Sequence, residues 1–205
     1  MHEHKGNWRL DDGDEDASPT KKEASVAISE RALKARTILI SEAITSKLAQ
    51  KIYQQLILLE SDDPDKAITF IVNSPGGEAD TGFGIFDMMR FVRPPIRTIV
   101  AGLCASAAVM VFLAADRGQR LSLPNSRFML HQPSSASMGQ ASDLEIASRE
   151  ILRLRDRYNE IVAEETGKTL AQITEDTDRD LWMTADEALK YGLINKVVTN
   201  RAEIG

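Results

Sequence analysis

The 205-residue chain is poor in the side chains that most often carry catalysis or hold metals: it has three histidines and one cysteine. A single thiol, Cys104, excludes an intramolecular disulfide framework and fits a reducing compartment, so a cytoplasmic location is expected. Positive charge is also in deficit. With 25 Lys and Arg against 31 Asp and Glu, the formal charge is −6, and a chain without a basic field is not built for nucleic acid. No secretory leader is legible, because the first twenty residues lack an apolar core and carry five acids between Asp11 and Asp16. Long apolar runs are scarce. The uncharged stretch Ile99–Ala115 holds seventeen residues rich in Ala, Gly and Val, short of the roughly 20 that span a membrane. It reads as a buried strand followed by a buried helix, and no membrane role is expected. The rest is ordinary globular composition, 42% apolar and 27% charged, enough for one domain with a substantial core.

Residues 1–30 form a polar segment with Gly13, Pro19 and clustered charges, expected to be mobile and acidic. Order is expected from near Arg36, within a single domain spanning 31–205. Thr37–Ile40 reads as a short buried strand. Ser41 is placed to cap a helix running to about Leu59, with Leu48, Ile52, Leu56 and Leu59 on one face. The turn Asp62-Asp63-Pro64-Asp65 precedes a strand Ala67–Val72, the turn Asn73-Ser74-Pro75-Gly76-Gly77 and a helix Ala79–Phe91 closed by Pro94-Pro95. A strand Ile96–Ala101, a helix Ser106–Ala115 and short strands Arg120–Leu123 and Arg127–Leu130 follow. This alternation predicts an α/β domain with a largely parallel sheet.

The C-terminal third reads as mainly helical. Ser142 with Glu145, Thr169 with Gln172 and Thr184 with Glu187 each match the capping-box pattern. Gly192 is placed to end the last helix before a strand Leu193–Val198. In the long helix near 142–165, Leu144, Ala147, Ile151, Leu154, Tyr158 and Ile161 step by 3, 4, 3, 4, 3. That narrow seam suits lengthwise packing on another helix, although an amphipathic helix lying on its own domain is equally compatible.

His2 and His4 lie in the N-terminal segment, so His131, after the apolar strand Phe128-Met129-Leu130, is the one credible general base of the ordered domain. Ser106 follows the small-residue turn Gly102-Leu103-Cys104-Ala105 at a helix start, where a nucleophile or an N-cap serine fits equally well. Gly76-Gly77 offers an amide for an oxyanion, or simply a tight turn. These groups need neither nucleotide nor metal, and the chain has no Walker A pattern, so ATP would have to be consumed by another protein.

In order and spacing, Asn73–Gly77, Gly102–Ala108, Leu123–Pro133, Gly139–Asp143, Ala147–Ile151 and Asp176–Asp180 resemble the proteolytic-subunit family of the Clp proteases (ClpP). The resemblance runs from about Arg36 to Val198. It implies a ClpP/crotonase-like α/β fold with a protruding handle helix over about 140–167. It also implies a serine endopeptidase with Ser106 as nucleophile, His131 as base and Asp180 orienting the histidine. The residues alone leave Asp180 undistinguished from Asp176 and Asp178. The backbone amides of Gly77 and Ala107 match the family's oxyanion hole. Two stacked heptameric rings are implied, with Asp178-Arg179 at the contact between them. Unfolded polypeptide would arrive from an AAA+ Clp unfoldase that uses the ATP, so no cofactor is expected in this chain.

The chain also departs from the family's pattern. Ala107 stands where Met usually follows the nucleophile, and Ser134–Met138 replaces a glycine-rich segment that pairs with extended substrate. Thr69 and Ile71 stand where aromatics often line the unfoldase-docking pocket, and the acidic N-terminus has no clear match to the axial-pore segment. These differences point to a divergent paralogue. The alternatives are a catalytically silent or mixed-ring subunit and a crotonase-type acyl-CoA enzyme.

Overall fold

The computed structural model describes residues 21–134 and 138–204. Helix α1 (Lys21–Lys34) occupies part of the stretch expected to be mobile, so order begins before Arg36. The rest of that expectation, the acidic cluster included, lies outside the described residues. Five parallel strands run in the order β1 (Thr37–Ile40), β2 (Ile68–Ser74), β3 (Ile96–Ala105), β4 (Arg120–Ser122) and β7 (Lys196–Val197). Strand β5 (Arg127–Leu130) pairs parallel with β3, and β6 (Leu181–Thr184) adds to β5 antiparallel. The α/β, parallel-rich expectation holds.

Strand β3 serves two neighbours in succession. Thr98–Val100 pair with β4, and Leu103–Ala105 pair with β5. Between them Gly102 sits at φ 117°, where a Cβ would lie 2.6 Å from Asn73 Oδ1. That oxygen accepts from the Leu103 N–H at 3.0 Å, bridging the register break in β2 between Val72 and Ser74. A side-chain amide thus takes over where the ladder is interrupted.

Helices α2 (Ser46–Asp62), α3 (Ala79–Phe91) and α4 (Ala107–Leu113) pack around the sheet. Every residue of α4 is buried, as the uncharged stretch requires. Ser41 does not cap α2. The cap is Thr45, whose hydroxyl accepts from the Leu48 N–H at 3.3 Å, because Ile44 is first held in a bridge to Gly77. The predicted apolar face of α2 is buried as expected. Arg36, at φ 52° and 4% exposed, donates to the carbonyls of Leu59, Asp63, Lys66 and Ala67. It thereby satisfies the C-terminal end of α2 and the turn after it.

Helix α5 (Ala141–Thr166) has 26 residues and is about 39 Å long at 1.5 Å per residue. Its buried residues are confined to Tyr158, Asn159, Val162, Ala163 and Glu165. The N-terminal half stands away from the domain, with Leu144, Ile146 and Leu152 at 40%, 52% and 44% exposed. Ser142 does not cap it, since Gln140 precedes the first turn and makes no side-chain cap bond. Thr169 caps α6 (Leu170–Asp176), but the Gln172 side chain turns to Asp176 instead of completing the box. Thr184 and Glu187 form the full box at α7 (Ala185–Tyr191), which ends at left-handed Gly192. The last strand is shorter than expected, covering Lys196 and Val197 only. A 3-10 turn, Arg201–Ile204, follows, with Ile204 packed on Ile99, Leu121 and Val198.

Candidate active site

Strand β3 delivers Ser106 to the start of α4 with φ 56° and ψ −127°. A side chain in that region carries about 1–3 kcal/mol of strain, so the surroundings must hold it. The Ser106 N–H donates to the Met129 carbonyl of β5 at 2.9 Å, and the Val109 N–H donates to the Ser106 carbonyl at 2.9 Å. The elbow projects Ser106 Oγ to 2.8 Å from His131 Nε2, and His131 directly follows β5.

Asp180 arrives by pairing. The β5–β6 register sets Arg127 opposite Thr184 and Leu130 opposite Leu181, so the next antiparallel position sets His131 opposite Asp180. His131 Nδ1 lies 3.3 Å from Asp180 Oδ1, with the histidine side chain 26% exposed and the aspartate 58%. The other two acids of the loop are engaged elsewhere. Asp176 accepts from the Tyr191 hydroxyl at 2.6 Å and from Gln172, and Asp178 accepts from Gln132. Gln132 further fastens this loop, its N–H donating to the Thr177 carbonyl and its Nε2 to the Asp178 carbonyl. The one signal that separates Asp180 from its neighbours is a strand pairing, which no local pattern contains. The Asp178-Arg179 pair is open to solvent, 69% and 94% exposed at 3.9 Å.

The Ser74–Gly77 turn packs on the elbow. A Cβ on Gly76 would lie 2.6 Å from both the Ala105 carbonyl oxygen and Ser106 Cβ, so at φ 93° only glycine fits. Ser74 Oγ fixes the turn, donating to the Glu42 carbonyl and accepting from the Gly76 N–H. Neither the Gly77 nor the Ala107 N–H donates to a described acceptor; the latter is the first amide of a helix and has no intrahelical partner. Both residues line a cleft of about 560 Å³ together with Ser106 and His131. Two backbone donors, a hydroxyl and an imidazole backed by a carboxylate can attack a carbonyl and hold the resulting oxyanion. Of the stretch expected to pair with substrate, Ser134 lines the cleft, while residues 135–137 lie outside the described residues.

The comparisons with known proteins bear on the same stretch. The Clp protease family model matches residues 20–201. The chain belongs to the Clp protease family. A solved structure of a ClpP1 mutant from Listeria monocytogenes is 39% identical and superposes with a TM-score of 0.81, covering 87% of this chain and 99% of that one. The chain is thus a ClpP paralogue, and its fold is the ClpP fold. Thr69 and Ile71 of this ClpP-type subunit line a separate hollow of about 400 Å³ with Thr37, Arg97, Ile99 and Ile204. Among the described residues, no group of three or more His, Cys, Asp or Glu could hold a metal ion. No described helix is long and apolar enough to cross a membrane.

Proposed function

We propose that this ClpP-type subunit is a serine endopeptidase in which Ser106 is the nucleophile, His131 the general base and Asp180 the group that orients the histidine. The observation that carries the reading is the 2.8 Å hydrogen bond between Ser106 Oγ and His131 Nε2, with Asp180 Oδ1 facing the other ring nitrogen, Nδ1, at 3.3 Å. With Asp180 facing Nδ1 and favouring the tautomer that carries its proton there, Nε2 is free to take the Ser106 proton as Oγ attacks a peptide carbonyl. The amides of Gly77 and Ala107 hold the oxyanion. His131 then protonates the departing amine, and water, activated by the same imidazole, hydrolyses the acyl-enzyme. The Ala107 side chain takes no part in this, which is why it can replace methionine.

The family and helix α5 support a reading of the assembly. A helix that leaves Leu144, Ile146 and Leu152 exposed has a surface for another subunit, in keeping with two stacked heptameric rings and with Asp178-Arg179 at their contact. ATP is spent by a separate AAA+ unfoldase that feeds unfolded polypeptide into the chamber, in a cytoplasmic setting. Thr69 and Ile71 favour an unusual unfoldase or a mixed ring, and co-purification with a standard Clp ATPase at ordinary affinity counts against that.

A fluorophosphonate probe tests the chemistry. Labelling is expected on Ser106 and lost in Ser106→Ala, and cleavage of a short fluorogenic peptide distinguishes an active subunit from a silent one. An unlabelled protein that binds coenzyme A sinks the protease reading. Native mass spectrometry of the same sample reads ring stoichiometry.

A further inference from the structure

Side chains alternate between the two faces of a strand. Ile38, Phe70, Val72 and Val100 lie on the face that joins the main core with α2, α3 and α4. The opposite face carries a second apolar row. Leu39, Ile71, Ile99 and Leu121 stand in register across β1, β2, β3 and β4. The two ends of this row differ. Leu39 is 50% exposed and Ile71 half-buried, whereas Ile99 and Leu121 are 6% and 5% exposed. The second pair is covered by Val198 and by Ile204 of the 3-10 turn. Arg201 and Ile204 of that turn also wall the hollow of about 400 Å³ that opens over Thr69 and Ile71. The turn therefore sits on one end of a row whose other end is open.

The turn is tied to its own segment. Glu203 Oε1 accepts from the Thr199 hydroxyl at 2.6 Å, the Thr199 and Asn200 N–H groups at 3.1 Å, and Asn200 Nδ2 at 2.5 Å. Asn200 Oδ1 accepts from the Ala202 N–H, and Lys196 Nζ donates to the Glu203 carbonyl. The Thr199 bonds hold the Glu203 carboxyl below its usual range, so it is charged at neutral pH. Among the described residues, no hydrogen bond joins residues 201–204 to β1, β2, β3 or β4. No residue of the turn is fully buried, and its apolar grip on the sheet is the Ile204 side chain. A permanent wall would be tied to the strands it covers. A segment with few buried contacts and only local hydrogen bonds opens at low cost.

Ile204 also shows what this face accepts: one aliphatic side chain carried on a tight turn. We propose that residues 201–204 are a displaceable strap, in which Ile204 holds the place that an aliphatic residue at a partner's loop tip takes when it docks. A loop that binds only the open form is weakened by the fraction of molecules in which that form is populated. The partner is the separate unfoldase; that identification rests on the assembly reading above, whereas the strap does not.

The test uses the purified full-chain assembly and a fluorescein-labelled cyclic peptide that presents one isoleucine at a tight turn. The same ring with serine in its place is the control. Ile204→Ser is expected to bind the isoleucine peptide about five- to tenfold more tightly than the native protein, the factor for releasing a half-buried isoleucine. Glu203 does not line the hollow, so Glu203→Ala loosens the turn without altering the walls. It is expected to shift the affinity in the same direction. Weaker or unchanged binding in Ile204→Ser makes Ile204 a fixed wall and overturns the proposal. So does native affinity in Glu203→Ala, or a peptide that binds none of the three proteins. A Clp ATPase in place of the peptide separates the two readings. Tighter peptide binding in both variants with no ATPase bound to any of them leaves the strap standing and defeats the unfoldase as its partner. An ATPase that binds the native protein and both variants alike defeats the strap alone.

Discussion

Ser106 and Asp180 are held by different means. The serine is buried in backbone: a sheet carbonyl takes its N–H, its own carbonyl caps the next turn, and Gly76 presses on its Cβ. The aspartate is more than half exposed and meets His131 through one 3.3 Å contact. Replacing Asp180 with Asn keeps the shape but removes the charge and admits the wrong histidine tautomer. In a serine triad that change costs about 10⁴-fold in kcat. The expected result for Asp180→Asn is a loss of that order with KM nearly unchanged, read from steady-state peptide cleavage. A loss under tenfold would show that another group orients His131.

At the scale of elements, the antiparallel pair β5–β6 and the helix behind it position the aspartate. Thr184 ends β6 and caps α7, its hydroxyl bonding the Glu187 N–H while the Glu187 carboxylate takes the Thr184 N–H. Thr184→Ala removes the cap and is expected to cost about 1 kcal/mol, seen as a lower urea midpoint at constant m-value. An unchanged midpoint would mean that α7 is held by packing alone. This cap was legible in the sequence because Thr184, Asp186 and Glu187 form a local pattern. The run Ile99–Ala115 was legible too, since seventeen uncharged residues have nowhere to go but the core. Ser41 misled because the Ile44–Gly77 bridge, a contact across 33 positions of sequence, delays the start of α2. The aspartate proposed for the triad was hidden for the same reason. Pairing across β5–β6 is made by the fold, and only family resemblance supplied it in advance.

Over the whole molecule, one buried carboxylate ties the layers together. Glu165, near the end of α5, accepts from Arg90 of α3 at 2.6 Å and from Arg120 of β4, with Arg117 at 3.8 Å. Both Glu165 and Arg120 are 2% exposed at the side chain. Burial alone would raise the carboxyl's pKa, but the guanidinium hydrogen bonds outweigh it and the net shift is downward. A carboxyl with a depressed folded pKa contributes stability that is present above its unfolded pKa of about 4.3. That contribution is lost as pH falls through the lower folded value. Glu165→Gln is therefore expected to flatten the dependence of Tm on pH below about 4. At neutral pH it should cost about 3–5 kcal/mol, because Arg120 is left buried without its counter-charge. A parallel fall of Tm in both proteins under acid would place the acid sensitivity elsewhere.

The bond from the Ser106 N–H to the Met129 carbonyl, two residues before His131, makes the spacing of the proposed nucleophile and base a property of the sheet ladder. The third member hangs from a solvent-facing loop. Such a molecule fails in a fixed sequence. Under the proposed triad, heat is expected to free the aspartate first, leaving a serine that a reactive probe still finds and an imidazole that turns over slowly. Active-site titration would then count subunits as competent that are not, and turnover per titrated serine becomes the measure of an intact particle.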